Sequence, residues 1–159
     1  MHKIRKPKLS EVLEIKKLVD YAYEKGYILP RTLEELYENV RDFYVYADEK
    51  GLAGCVSLHI DTDKLAEVRT LVVREDVQRK GIGTLLLKTV LSEAKELEIP
   101  QVYVLTRTPE FFEKKGFRRI SLEQLPYKIR KDCARCPKFN NCDEIAMIFD
   151  ISQLEEDKK

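Results

Sequence analysis

The sequence predicts a single α/β domain built on a mixed sheet, and three observations carry that reading. Segments of helical period alternate with segments of strand period in the order ααββ, then βαβα, then β. No internal repeat is present, and 159 residues are enough for one buried core. A glycine-containing loop sits directly between an apolar strand and an amphipathic helix, the usual signature of an anion-binding strand-to-helix turn.

Each element has its own warrant. Ser10 is placed to cap a helix whose apolar positions, Val12, Ile15, Leu18, Val19 and Ala22, recur at spacings of three and four, and Gly26 is placed to end it. Thr32 and Glu35 have capping-box spacing at the start of a shorter helix carrying Leu33, Leu36 and Val40. Residues 43–47 and 52–60 read as strands joined by a turn at 48–51, and a polar turn at 61–64 leads into a third strand, Leu65–Val73. The helix after the glycine loop runs to about Leu97, burying Leu87, Val90, Leu91, Ala94 and Leu97, and Pro100 bars its continuation. Residues 102–106 form a strand, Pro109 opens a short helix ending at Gly116, and an apolar strand at 145–151 closes the fold.

Composition narrows the function. The formal net charge is +1 although 36% of residues are charged, so no strong field draws the chain to nucleic acid or to an anionic membrane. No apolar run approaches the ~18 residues of a membrane span, and the first residues lack a hydrophobic signal region. A cytoplasmic chain is expected, without nucleic-acid or membrane partners.

The loop Gln78-Arg79-Lys80-Gly81-Ile82-Gly83-Thr84 is the most specific motif. Its glycines let successive N–H groups approach an anion, and the first turn of the following helix adds unpaired N–H groups and the positive end of a dipole. It is not a Walker loop, because no Lys-Ser/Thr follows the second glycine, and position 86 is Leu where a dinucleotide fingerprint needs glycine. The spacing Q-x-x-G-x-G after Leu71-Val72-Val73 resembles the acetyl-CoA motif of the GNAT acetyltransferase superfamily. Residues 26–32 followed by Leu36-Tyr37-Glu38-Asn39, then 66–73, 104–106 and Phe111-Phe112-Glu113-Lys114-Lys115-Gly116-Phe117, are similar to its short N-acetylglutamate synthases. So is the segment from Lys128 through Asp132-Cys133-x-x-Cys136-Pro137 to Cys142-Asp143-Glu144. The resemblance spans residues 4–151 and implies one GNAT N-acetyltransferase domain over 1–159, with a mostly antiparallel central sheet flanked by helices.

It also implies transfer of acetyl from acetyl-CoA to the α-amine of L-glutamate in arginine biosynthesis, by direct attack. Two alternatives stand beside this: another amine as acceptor (glutamine, a polyamine or a protein N-terminus), and a CoA-binding sensor without turnover. On the first reading Leu71, Val72 and Val73 line the pantetheine chain. Gln78, Arg79, Lys80, Gly81, Ile82, Gly83 and Thr84 hold the pyrophosphate, with Phe112 and Lys115 beside the cofactor. Glu67 is the candidate base and the Leu71 N–H the candidate donor to the thioester carbonyl, with a strand bulge near Leu71 as the structural sign of that role. By strand period Glu67, Arg69, Leu71 and Val73 share one face, and a solvated Glu67 paired with Arg69 is the competing reading.

Arg31, Arg69, Thr106, Arg107 and Lys128 are candidates for the acceptor's carboxylates, guanidinium forks being suited to such groups. Relatives place a tyrosine where this chain has Phe112, which leaves Tyr103 and Tyr127 as candidate proton donors. Cys133, Cys136 and Cys142 allow a zinc site that lacks an evident fourth ligand, a disulfide, or reduced thiols. A homodimer is the assembly carried with this reading.

Overall fold

The computed structural model describes residues 4–125 and 144–154. A short strand that the pattern did not announce, β1 (Ile4–Arg5), precedes the first helix, α1 (Val12–Glu24). Ser10 does not cap that helix; it lies inside a 3-10 turn, Leu9–Glu11. The Glu11 carboxylate closes that turn, accepting the Lys8 N–H at 2.8 Å, and no side-chain hydrogen bond caps α1 itself. The expected apolar stripe of α1 is buried throughout. Gly26 ends the helix with φ +79°, so that its own N–H donates to the Tyr23 carbonyl and that of Tyr27 to the Ala22 carbonyl, both at 2.9 Å. In α2 (Leu33–Glu38) the capping box is complete. The Glu35 N–H donates to Thr32 Oγ1 at 3.1 Å, and the Thr32 N–H to Glu35 Oε1 at 2.8 Å. Val40 falls in a following 3-10 turn, Val40–Asp42.

Three strands, β2 (Phe43–Asp48), β3 (Gly51–Thr62) and β4 (Leu65–Val73), form an antiparallel meander. β3 is longer than the sequence pattern suggests and takes in Asp61, which the polar composition had placed in a turn. After the glycine loop comes α3 (Ile82–Glu96). Leu97 is not a core residue as expected but is 50% exposed, and Ile99 is buried in its stead. The reason is the helix end: Glu98 turns with φ +62°, its N–H donating to the Lys95 carbonyl and that of Ile99 to the Ala94 carbonyl. Ile99 is thereby folded back under the helix. The chain continues through β5 (Gln101–Thr106), α4 (Pro109–Glu113), β6 (Arg118–Arg119) and β7 (Ile145–Asp150).

The seven strands make one sheet in the order β1-β2-β3-β4-β5-β7-β6, antiparallel except for the β4–β5 pair. α3 and α4 cover one face, over Val56, Leu58, Ala66, Val68, Val102 and Val104. α1 and α2 cover the other face on its β2–β4 half, over Phe43, Val45, Cys55 and Val72. On the β5–β7 half of that second face, Tyr103 and Ile148 pack with Leu125, Ile120 and Leu122.

Two features of this sheet place the site. β4 and β5 pair over only four residues each, Leu65–Gln101 to Val68–Val104; beyond them the strands part and leave a wedge. At the same point β4 bulges: Cys55 pairs with Val72 and Ser57 with Arg69, so Val56 faces the two residues Thr70 and Leu71. Thr70 sits at φ +56° within this bulge. The bulge overturns the strict alternation expected for β4. Glu67 and Arg69 share a face, but Leu71 and Val73 pack with the α3 side while Val72 packs with α1.

Candidate active site

The wedge between β4 and β5 opens into a groove of about 1510 Å³, larger than the ~300–1,000 Å³ usual for one small ligand. Its walls come from the α1–α2 connection, the second half of β4, the start of α3, the end of β5 and α4. The splayed strands and the bulge make this space, and both are backbone features rather than side-chain choices.

At one end lies the glycine loop. Arg79 (φ +67°) and Gly81 (φ +85°) both turn the backbone left-handed, the kind of alternation that gathers N–H groups into an anion-binding concavity. Gly81 occupies the N-cap position of α3 and no side chain caps the helix; the first intrahelical bond runs from the Leu85 N–H to the Gly81 carbonyl at 3.0 Å. Among the described residues, the main-chain N–H groups of residues 79–84 have no hydrogen-bond partner. Gln78 ties the loop back to β4, its Nε2 donating to the Val73 carbonyl at 3.0 Å. At Gly83 a Cβ would make only ordinary contacts, 3.7 Å from Val73 and 3.8 Å from Phe111. Packing therefore does not demand glycine there; its absent side chain keeps the groove floor open.

The groove runs from this loop along Leu71, Val72 and Val73 to a charged group on β4. Arg69 Nε donates to Glu67 Oε1 at 2.6 Å, and the Tyr103 hydroxyl lies 3.1 Å from that same oxygen. The tyrosine hydroxyl also reaches Asp61 Oδ2 at 3.0 Å. Burial, reinforced by the Glu67 and Asp61 carboxylates, pushes the Tyr103 phenol well above its ordinary range. Burial pulls the Arg69 guanidinium down, but the Glu67 carboxylate, by its charge and its hydrogen bond, outweighs it with help from Asp61, and the net direction is up. Glu67 is 7% exposed and opens on the groove, so it is both ion-paired with Arg69 and accessible to a ligand.

Arg31 lines the same end, 3.8 Å from Glu35, and Thr106 lines it with its hydroxyl engaged by the Thr108 N–H at 2.9 Å. Of the remaining expected residues, Ile82, Thr84 and Phe112 also border the groove. Phe112 is buried between Phe111 and Phe117 in edge-on ring contacts, which leaves no hydroxyl at that position. Lys80, Lys115 and Arg107 do not line it. Lys115 stands over the Phe111 ring at 5.6 Å, and Arg107 donates to the Gly26 carbonyl, tying the end of β5 to the α1–α2 connection. Tyr103 is fully buried away from the groove, with its hydroxyl committed to the two carboxylates.

Lys128, Tyr127, Cys133, Cys136 and Cys142 lie outside the described residues. Sequence reasoning missed Tyr21, Tyr27 and Phe111 as groove residues, and Asp61 as a partner of the Glu67 cluster. The signal for Asp61 and Tyr103 exists only in strand register: Glu67 pairs with His59 on β3 and with Tyr103 on β5. No helix among the described residues is long and apolar enough to cross a membrane.

Comparison with known proteins places this geometry among relatives. Residues 39–119 match the family described as the Acetyltransferase (GNAT) domain. A protein of Chlorobaculum tepidum named an uncharacterized N-acetyltransferase is 39% identical over 91% of this chain and 94% of its own length. The amino-acid acetyltransferase of Mycobacterium tuberculosis is 37% identical over 74% of this chain and 68% of its own. Among solved structures, N-acetylglutamate synthase from Neisseria gonorrhoeae, complexed with coenzyme A and N-acetyl-glutamate, aligns with a TM-score of 0.86 at 25% identity. That alignment covers 93% of this chain but 34% of the synthase, so the chain spans about a third of its length. A Mycobacterium tuberculosis protein solved in complex with CoA aligns at 0.80 and 28% identity, over 92% of this chain and 98% of that one.

Proposed function

Because the chain belongs to the GNAT acetyltransferase family, and is therefore an N-acetyltransferase, we propose that it moves the acetyl group of acetyl-CoA to the α-amine of L-glutamate. One observation carries the donor half of this reading: a row of unpartnered main-chain N–H groups at residues 79–84 opens on the groove that leads to Glu67. Those amides and the α3 dipole receive the pyrophosphate. The pantetheine arm lies along Leu71, Val72 and Val73, where β4 has parted from β5, and takes the place of the missing strand. The bulge at Thr70 and Leu71 turns a main-chain N–H out of the ladder toward the thioester carbonyl, where it stabilises the developing oxyanion.

The acceptor enters from the Arg31 and Arg69 end. Their guanidinium groups hold its carboxylates, with Thr106 at the groove wall. Glu67 takes a proton from the ammonium, and the free amine attacks the thioester carbon. The N–H proton of the resulting adduct passes to the departing thiolate, so that amide and free thiol are formed. This route needs no hydroxyl at position 112. Two relatives support the choice of acceptor: one is named an amino-acid acetyltransferase and the other an N-acetylglutamate synthase solved with coenzyme A and N-acetyl-glutamate.

A second acceptor class is favoured by a specific observation. Glu35 and Glu144 also border the groove, and Glu35 and Glu67 already counter the charges of Arg31 and Arg69. A less acidic amine would meet less repulsion there. Thiol release from acetyl-CoA with glutamate, glutamine, a polyamine and an N-terminal peptide separates these readings. Turnover confined to glutamate is the expected result. Equal turnover with the other amines replaces glutamate as acceptor, and CoA binding without turnover removes the catalytic reading.

A further inference from the structure

The reaction proposed above releases one proton per turnover, since an ammonium and a thioester become an amide and a thiol. Glu67 collects that proton at the bottom of a groove which both substrates would fill, so the direct way back to water is closed. The structure offers another way. His59, Glu67 and Tyr103 stand in register on three adjacent strands, on one face of the sheet. Beyond Tyr103 comes Asp61, which is the extra residue of a second bulge: Ile60 pairs with Ala66 and Thr62 with Leu65. A bulge re-aims a side chain, and this one brings Asp61 Oδ2 to 3.0 Å from the Tyr103 hydroxyl. Asp61 Oδ1 lies 3.9 Å from His59 Nε2, and His59 Nδ1 lies 3.3 Å from Asp42 Oδ2.

Exposure rises outward along this row. The Asp61 side chain is 7% exposed, whereas those of His59 and Asp42 are 32% and 29% exposed. A niche of about 20 Å³ lies beside His59 and Asp42, room for about one water molecule. Stability alone does not account for the arrangement. One tyrosine proton faces two carboxylates, and such polar groups at a buried position are commonly replaceable by apolar residues without loss.

We infer that Tyr103, Asp61 and His59 form a proton relay that discharges Glu67 to the surface on the side away from the groove. The inference rests on Glu67 being the base. Protonated Glu67 gives its proton to the Tyr103 oxygen as the tyrosine gives its own to Asp61, so the phenol stays neutral throughout. Asp61 then passes a proton to His59 Nε2 across a water or a small rotation of the imidazole, the 3.9 Å gap being longer than a direct hydrogen bond. His59 releases a proton at Nδ1, toward Asp42 and solvent, and no net charge accumulates. The charged groups facing the imidazole are Asp42, Asp61, Glu67 in register, and Arg31, Glu35 and Arg69 across the niche. Tyr103, Asp61 and His59 are positioning residues: none of the three lines the groove.

The test uses the full chain in weak buffer with acetyl-CoA and L-glutamate. His59→Ala and Tyr103→Phe should each lower kcat about tenfold, below the 10²–10⁴ of a direct proton-transfer group, with KM for both substrates unchanged. Added imidazole should restore the His59→Ala enzyme in a saturable manner and leave Tyr103→Phe slow, since that break lies upstream. His59 is at the surface, so its variant remains informative if Tyr103→Phe folds poorly. A wild-type kcat in the His59→Ala variant, or a loss that imidazole does not restore, overturns the relay while an inactive Glu67→Gln leaves the base in place. Full activity in Glu67→Gln, or no thiol release by the wild type, overturns the base assignment and the relay with it.

Discussion

Glu67 shows how much chemistry one strand position can gather. Its carboxylate is held by the Arg69 guanidinium and the Tyr103 hydroxyl on one side and faces the groove on the other. Replacing it with Gln keeps shape and hydrogen bonding but removes the base. The kcat should fall by about 10²-fold or more, while CoA affinity, read by calorimetry, stays as in the wild type. A full-rate Gln variant would mean that the amine loses its proton elsewhere. The Ala66-Glu67-Val68-Arg69 stretch could be picked out from sequence because the strand pattern and the family resemblance coincide there. Asp61 could not, because a polar residue in a polar run reads as a turn until strand register shows a bulge. Leu97 and Ile99 exchanged places for a related reason: burial past a helix end depends on how the chain turns, and Glu98 makes that turn without the glycine that would announce it.

At the scale of elements, α3 carries two separable demands, one at each end. Its first turn is open to a ligand, and Gly83 there has room for a methyl group in the free protein. Gly83→Ala should therefore raise helix stability by up to about 1 kcal/mol, yet weaken CoA binding, since the added methyl intrudes on the groove. Denaturant midpoints and calorimetry read the two effects apart; a variant that lost stability would show that the helix start is strained as it stands. At the other end Glu98 occupies a left-handed conformation that costs a non-glycine residue roughly 1 kcal/mol. Glu98→Gly should recover part of that, raising the denaturation midpoint with no change in kinetics, and an unchanged or lower midpoint would show that the turn is not strained. The capping box at Thr32 and the glycine end at Gly26 were readable because both are local devices. The start of α1 was not, since a 3-10 turn takes in Ser10 and is closed by Glu11, which Arg5 holds from outside the helix.

That same contact acts on the whole molecule. Arg5 Nη1 and Nη2 grip Glu11 at 2.8 and 2.7 Å and join the edge strand β1 to the start of α1. The Arg5 hydrogen bonds draw the Glu11 carboxyl down from 4.5 to about 2. A carboxyl lowered on folding adds stability above its unfolded value, and that stability is lost as pH falls from 4.5 toward about 2. Arg5→Ala should lower stability at neutral pH by on the order of 1 kcal/mol or less, and the difference from wild type should vanish near pH 2. A constant difference across that range would exclude the link. The general architecture was legible, because the alternation of periods and the strand–loop–helix junction state it directly. The strand order and the four-pair seam between β4 and β5 were not, since nothing local encodes which strands are neighbours or how far they stay together.

That seam has a practical consequence. Past Val68 the sheet shows an interior edge to which, among the described residues, no neighbouring strand is paired. An open row of backbone donors and acceptors accepts any extended segment, including one from another copy of the protein. Preparations stripped of ligand are thus the ones expected to clump on concentration and storage. Light scattering during a slow concentration step, with and without CoA, would show whether filling the wedge keeps the sample clear.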